Sequence, residues 1–175
     1  MNTFACVGTS ETVKGAIRDG QAEDGGRQGQ SAGIWLDAVN ASLTSCLRLH
    51  SVDVLLFNPP YVPSESVPLP SLLSSKEELL DRHKVFERDS NCLALATDGG
   101  ADGMEVTSQL LEEVPQVLSD KGVAYVLLCA QNRPEEVKRR IREWGAEWEV
   151  ETVGDSGKKG GWEKLQIVRI ARVVP

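Results

Sequence analysis

Continuous apolar runs and stripes spaced three or four residues apart take turns along this chain. Phe4, Val7, Val13, Ala16 and Ile17 make a helical stripe between Thr3 and Ile17, interrupted by Gly8 and Gly15. Residues 18–33 are rich in Gly, Gln and Asp and predict a flexible loop or insertion. Ile34 to Val39 reads as a short strand ending at Asn40. Val52 to Phe57 is almost uninterrupted in its apolarity, which predicts a strand buried on both faces, as central parallel strands are. Pro59 and Pro60 stop strand pairing there and stiffen the turn.

Residues 64–98 form a distinct segment after that turn. It is irregular as far as Pro70, then helical from a Ser74 cap with early acids at Glu77 and Glu78, through the charged stretch to Arg88. Val106, Leu110, Leu111, Val114, Val117 and Leu118 repeat at helical spacing, and Ser119 to Gly122 predicts the stop, with Gly122 as a left-handed cap. Val123 to Cys129 predicts a second buried strand. Asn132-Arg133-Pro134 opens a helix whose core face runs through Val137, Ile141 and Trp144. Trp148–Val153 and Leu165–Val173 flank a Gly/Lys loop and predict an antiparallel hairpin at a sheet edge, Lys158 and Lys159 keeping its tip soluble.

Strands alternating with helices predict an α/β fold, and 175 residues suit one domain spanning 1–175. The net charge of −7 argues against a broad electrostatic grip on phosphates and suits a protein substrate with a basic loop. Cys6, Cys46, Cys92 and Cys129 are scattered without a Cys-x-x-Cys pair, so no zinc site is expected from this chain. They read as reduced thiols of a cytoplasmic or nuclear protein. No apolar run approaches the ~18 residues of a membrane span, and no secretory leader is recognisable. His50 and His83 stand in polar contexts and pair with no cysteine or serine nucleophile.

The chemistry concentrates at Asn58-Pro59-Pro60-Tyr61, at the end of the Val52 to Phe57 run. In open α/β sheets, ligands bind beyond the carboxyl ends of the strands. A rigid corner there offers two acceptors, the Asn58 side-chain oxygen and the Pro59 carbonyl, to the two N–H bonds of a planar amide or aryl amine. Such a nitrogen is a poor nucleophile, and acceptors aimed at it stabilise the positive charge that grows as it attacks an electrophile. Tyr61 and Pro60 shape the slot for the planar group. Asn58, Pro59 and Tyr61 are therefore the candidate catalytic residues, and Asn58, Pro59, Pro60 and Tyr61 the candidate substrate contacts.

Asn58-Pro59-Pro60-Tyr61 after an apolar strand resembles the signature of class I S-adenosylmethionine-dependent methyltransferases acting on amino or amide nitrogens. The continuation Tyr61-Val62-Pro63 and the later Gly99-Gly100-Ala101-Asp102-Gly103-Met104-Glu105-Val106 are similar to the HemK-like branch, and within it to the short eukaryotic and archaeal members. That resemblance implies a Rossmann-like sheet with a C-terminal antiparallel hairpin. It also implies methylation of the glutamine amide in the Gly-Gly-Gln loop of a translation release factor, with S-adenosylmethionine as cofactor. Asn40 and Asn58 are the implied cofactor contacts, Asn40 near the adenine ring where an acid is more usual, and Phe57 touches the cofactor's edge. Residues 64–98 occupy the place of a substrate lid.

One departure from the family matters. No Gly-rich turn follows an apolar strand upstream of Asn58, so the chain is expected to lack the first one or two strands of the sheet. Two other readings stay open: an adenine-N6 nucleic-acid methyltransferase, and a truncated, non-catalytic fragment that binds a protein. The resemblance also implies a heterodimer with a small zinc-binding activator subunit, with Ile34–Val39 as one docking edge. Losing two strands would leave buried faces uncovered, so poor solubility of the isolated chain is expected.

Overall fold

The computed structural model describes residues 3–23, 34–68, 82–157 and 164–173, and contacts divide the chain into two compact units, Met1–Cys46 and Leu47–Pro175.

In the first unit, helix α1 covers Thr3–Glu23. It continues past Ile17 into the Gln- and Asp-containing stretch expected to be loop, because Arg18 to Glu23 carries no proline to break it. Ile34–Asn40 follows a course without strand pairing among the described residues, and Ile34, Leu36 and Val39 are exposed. The strand expected there is absent because a strand needs a neighbour to take its ladder bonds. Ser10 Oγ donates to Asp37 Oδ1 at 3.1 Å and ties α1 to this segment.

The second unit is built on a four-stranded sheet in the order β1-β2-β4-β3. Its strands are β1 (Val52–Phe57), β2 (Leu118–Cys129), β3 (Trp148–Asp155) and β4 (Leu165–Arg172). β1 runs parallel to β2, whereas β4 inserts antiparallel between β2 and β3, as the terminal hairpin predicted. Helices α2 (Arg82–Thr97), α3 (Glu105–Val117) and α4 (Pro134–Arg142) connect them. The expected Ser74 start and the Lys158-Lys159 tip lie outside the described residues.

Packing follows strand alternation. Leu55, Ala124, Val126, Leu128, Val150, Val168 and Ile170 are buried, and so are Leu110, Leu111 and Val114 of α3 and Val137 and Ile141 of α4. The other side of β1 is different: Val54 is 59% and Leu56 76% exposed. The strand is therefore not buried on both faces. β1 lies at the end of the sheet, and only the Leu55 side is covered.

The junction of α3 and β2 also departs from the sequence reading. Leu118 ends the helix in extended conformation, its N–H bonding Val114 O, and β2 begins there with no linker. Gly122 lies within the strand instead of capping the helix. A Cβ at Gly122 would stand 2.6 Å from Val52 O, so the close approach of β1 excludes a side chain. The register slips from Val52 opposite Leu118 to Val54 opposite Val123, and the surplus β2 residues bulge out there. Beyond this irregularity the two strands run in register to Phe57 and Val126, which brings their carboxyl ends side by side. Among the described residues no helix is long and apolar enough to cross a membrane.

Candidate active site

Asn58 to Tyr61 follows the end of β1 directly, and the backbone beyond it is held by a second loop. Val62 N–H donates to Thr97 O at 2.9 Å, and Gly99 N–H donates back to Val62 O at 2.8 Å, forming a one-residue parallel bridge with Asp98. Two residues on, Ser64 N–H bonds Gly100 O at 3.0 Å, and Gly100 N–H bonds Ser64 Oγ at 3.0 Å. Gly99-Gly100-Ala101-Asp102-Gly103 thus grips the corner from behind. Glycine is required at two points of that grip. A Cβ on Gly99 would collide with Pro60 O, and one on Gly103 with Tyr61 O, while Gly103 also takes φ 68°.

The end of β2 supplies the third contact. Asn132 is 2% exposed. Its Oδ1 accepts from Cys129 N–H at 2.7 Å, and its Nδ2 donates to Tyr61 O and Asp102 O, each at 2.9 Å, with Gly103 O at 3.3 Å. The Cys129 thiol also points to Tyr61 O, at 3.7 Å. Arg133 Nη2 reaches Asp102 Oδ1 at 3.4 Å. Sequence reasoning placed Asn132 only at a helix start. The signal that could have found it is its position just past the carboxyl end of the strand parallel to β1, where site residues of such sheets gather.

The corner is wettest at its first residue and driest at its second. Asn58 is exposed, Pro59 is buried, and Pro60 and Tyr61 are half-buried. Among the described residues neither the Asn58 carboxamide nor the Pro59 carbonyl has a hydrogen-bond partner, whereas the carbonyls of Tyr61 and Val62 are both taken. Phe57 is half-buried at the end of β1, opposite Val126.

In the first unit, Asn40 lines a cavity of about 420 Å³ with Cys6, Thr9, Trp35, Ala38, Val39 and Ala41. Trp35 Nε1 is buried there without a hydrogen-bond partner among the described residues. Asp37, which the sequence reading passed over, stands three residues before Asn40. The Ala38 backbone N–H at 2.8 Å, then the Ser10 hydroxyl, hold its carboxyl below the usual carboxylate range. Among the described residues no group of three His, Cys, Asp or Glu is placed to hold a metal ion.

No family model matches the chain. Known proteins do. The catalytic subunit of the eRF1 methyltransferase, mtq2, of Schizosaccharomyces pombe is 34% identical over 137 residues, 77% of this chain and 50% of that protein. A provisionally named protein N5-glutamine methyltransferase of Methanocaldococcus jannaschii is 27% identical over 121 residues, 69% of this chain and 50% of its own length. The chain belongs to the HemK-like branch of the class I methyltransferases. Among solved structures, the E. cuniculi Mtq2-Trm112 complex, which methylates the eRF1 translation termination factor, matches with a TM-score of 0.52 at 21% identity. That match covers 94% of this chain and 80% of the other, and it shows the fold. The chain spans about half the length of the curated HemK-like relatives it matches.

Proposed function

We propose that this chain carries the substrate-binding corner of an S-adenosylmethionine-dependent N-methyltransferase acting on a glutamine side-chain amide of a translation termination factor. The observation that carries the reading is the pair of acceptors at Asn58 and Pro59, without partners among the described residues, on a corner where the carbonyls of Tyr61 and Val62 are bonded. A primary amide brings two N–H bonds in one plane and fits two such acceptors. Bound S-adenosylmethionine supplies an electrophilic methyl on a sulfonium. The amide nitrogen held at Asn58 and Pro59 would take that methyl, the electron pair of the broken S–C bond staying on sulfur, and would release one N–H proton to solvent. Asn58 and Pro59 fix the direction of the nitrogen and stabilise its growing positive charge, while Tyr61 and Pro60 confine the amide plane.

Within the first unit, the cavity beside Asn40 suits an adenine ring. Trp35 offers a flat wall and a buried N–H in need of an acceptor, and a heteroaromatic ring supplies both complements. The names of the relatives support the termination factor as substrate, and the pairing of Mtq2 with Trm112 in the E. cuniculi complex supports a small partner subunit. We place the reaction in the cytoplasm, with the nucleus as a second compartment.

The test is incorporation of labelled methyl into a Gly-Gly-Gln peptide, into the same peptide with glutamate for glutamine, and into an adenine-containing oligonucleotide. Label on the first alone, recovered as N-methylglutamine by mass spectrometry, is the expected outcome. Label on the oligonucleotide alone, or on none of the three with the partner subunit present, overturns it.

A further inference from the structure

We propose that Asn132 is a positioning residue for this transfer: its carboxamide locks the corner so that Asn58 and Pro59 stay free to receive the substrate nitrogen. The inference rests on the methyl-transfer reading. Tyr61 O is held by Asn132, Val62 O by Gly99, Val62 N–H by Thr97 and Ser64 N–H by Gly100. A slip of the chain by one residue would hand the Pro60 carbonyl to Asn132 Nδ2 and the Tyr61 carbonyl to Gly99 N–H, and would turn Asn58 away from its place. What opposes that slip from the β2 side is chiefly one buried carboxamide, the Cys129 thiol beside it being the weaker donor to Tyr61 O.

Asparagine fits this role for a specific reason. The position needs an acceptor for Cys129 N–H and, in the same plane, donors for Tyr61 O and for Asp102 O or Gly103 O. Only a carboxamide offers both within the reach of a single methylene. With Oδ1 toward the N–H and Nδ2 toward the carbonyls, every contact pairs a donor with an acceptor, and the flipped amide would satisfy none of them. One planar group thereby joins the end of β2, the corner after β1 and the turn before α3. The backbone on both sides is in the left-handed region, at φ 55° for Asp102 and φ 52° for Arg133. Neither residue is glycine, so this conformation persists because the contacts around it impose it. The Arg133–Asp102 ion pair closes the same loop from outside, but both side chains are 58% exposed and it is the weaker tie.

Asn132→Asp tests this with nearly unchanged shape: it keeps the acceptor for Cys129 N–H and removes the donors. With the full chain, its partner subunit and the Gly-Gly-Gln peptide, kcat at alkaline pH should fall about 100-fold while both KM values stay within about threefold. Acidification should restore part of the loss in this variant and not in the wild type, because the protonated carboxyl can again donate to Tyr61 O. Ile170→Val, a core change in β4 that touches no part of the corner, should lower the melting midpoint and leave kcat within about twofold. Hydrogen exchange supplies a readout that needs no turnover. In Asn132→Asp the amides of Val62 and Gly99 should exchange about tenfold faster or more, with the β2–β4 ladder still protected. A kcat within threefold of wild type, or a loss that Ile170→Val reproduces at equal melting temperature, overturns the proposal. A wild-type protein without turnover overturns the methyl-transfer reading alone, and unchanged exchange at Val62 and Gly99 overturns the lock in either case.

Discussion

In the proposed reaction a single exposed carboxamide at Asn58 does most of the chemistry, and its surroundings suit that role. The prolines on its carboxyl side have no N–H to compete for acceptors, and their fixed φ leaves the corner few alternatives. Removing one preorganised group from a site of this kind costs about 100- to 1000-fold in kcat. Asn58→Ala is expected to show that loss in the methyl-transfer assay with its melting curve unchanged, since the side chain is exposed and makes no hydrogen bond among the described residues. In the first unit, Asp37 offers a measurement independent of activity. Hydrogen bonds from Ala38 N–H and the Ser10 hydroxyl favour its charged form, so NMR should find its carboxyl titrating below the ordinary aspartate value. Ser10→Ala should bring that midpoint up part of the way, Ala38 retaining the larger effect. Because the folded value is the lower one, the tie between α1 and the Asp37 segment is fully present above the unfolded carboxylate value. It is lost as pH falls through the folded midpoint.

The elements that hold the corner are two strands and a glycine turn, and each can be broken separately. Gly103 takes φ 68° and has no room for a Cβ beside Tyr61 O, so Gly103→Ala should destabilise through both backbone strain and displacement of the corner. The expected signature is loss of activity well before loss of the sheet, read as unchanged far-UV circular dichroism at a temperature where kcat is already reduced. Ile170→Ala acts from the opposite direction. It empties a fully buried position of β4, between β2 and β3, and should cost about 2–5 kcal/mol in denaturant unfolding while leaving the corner's contacts in place. Together the two variants separate support of the sheet from support of the site. Both effects depend on backbone approach and packing, which also marks the limit of what the sequence could say. β1, β2 and the terminal hairpin were legible because their apolar runs are bounded by prolines, glycines or charges. The absence of any linker between α3 and β2 was not, because Gly122 carries the local mark of a helix cap and only the approach of Val52 O reveals its use. Asn132 escaped for a related reason: a buried amide whose Nδ2 acceptors lie 29 to 71 residues away has no local pattern.

Across the whole molecule, the sequence conveyed the corner and the second unit well and the first unit poorly. The corner is contiguous, so its four residues are visible as a string. The grip on it comes from segments about 40 and 70 residues further along, and only folding brings them together. The Ile34–Val39 run is mostly apolar, as a short strand is, yet it pairs with nothing among the described residues, since apolar side chains do not supply the neighbour that takes ladder bonds. The same reasoning applies to β1, whose continuous apolarity suggested cover on both faces. Val54 and Leu56 lie exposed on one strand of a four-stranded sheet, and Ile167 of β4 is 40% exposed. Exposed apolar side chains clustered on a sheet invite self-association. Leu56→Lys should therefore reduce both the binding of a hydrophobic dye and the concentration dependence of light scattering. It should leave the melting midpoint nearly unchanged, because a side chain already 76% exposed loses little burial on substitution. If scattering stays the same and the midpoint falls, Leu56 belongs to the packed interior in solution, and the exposed character of this side of β1 is refuted.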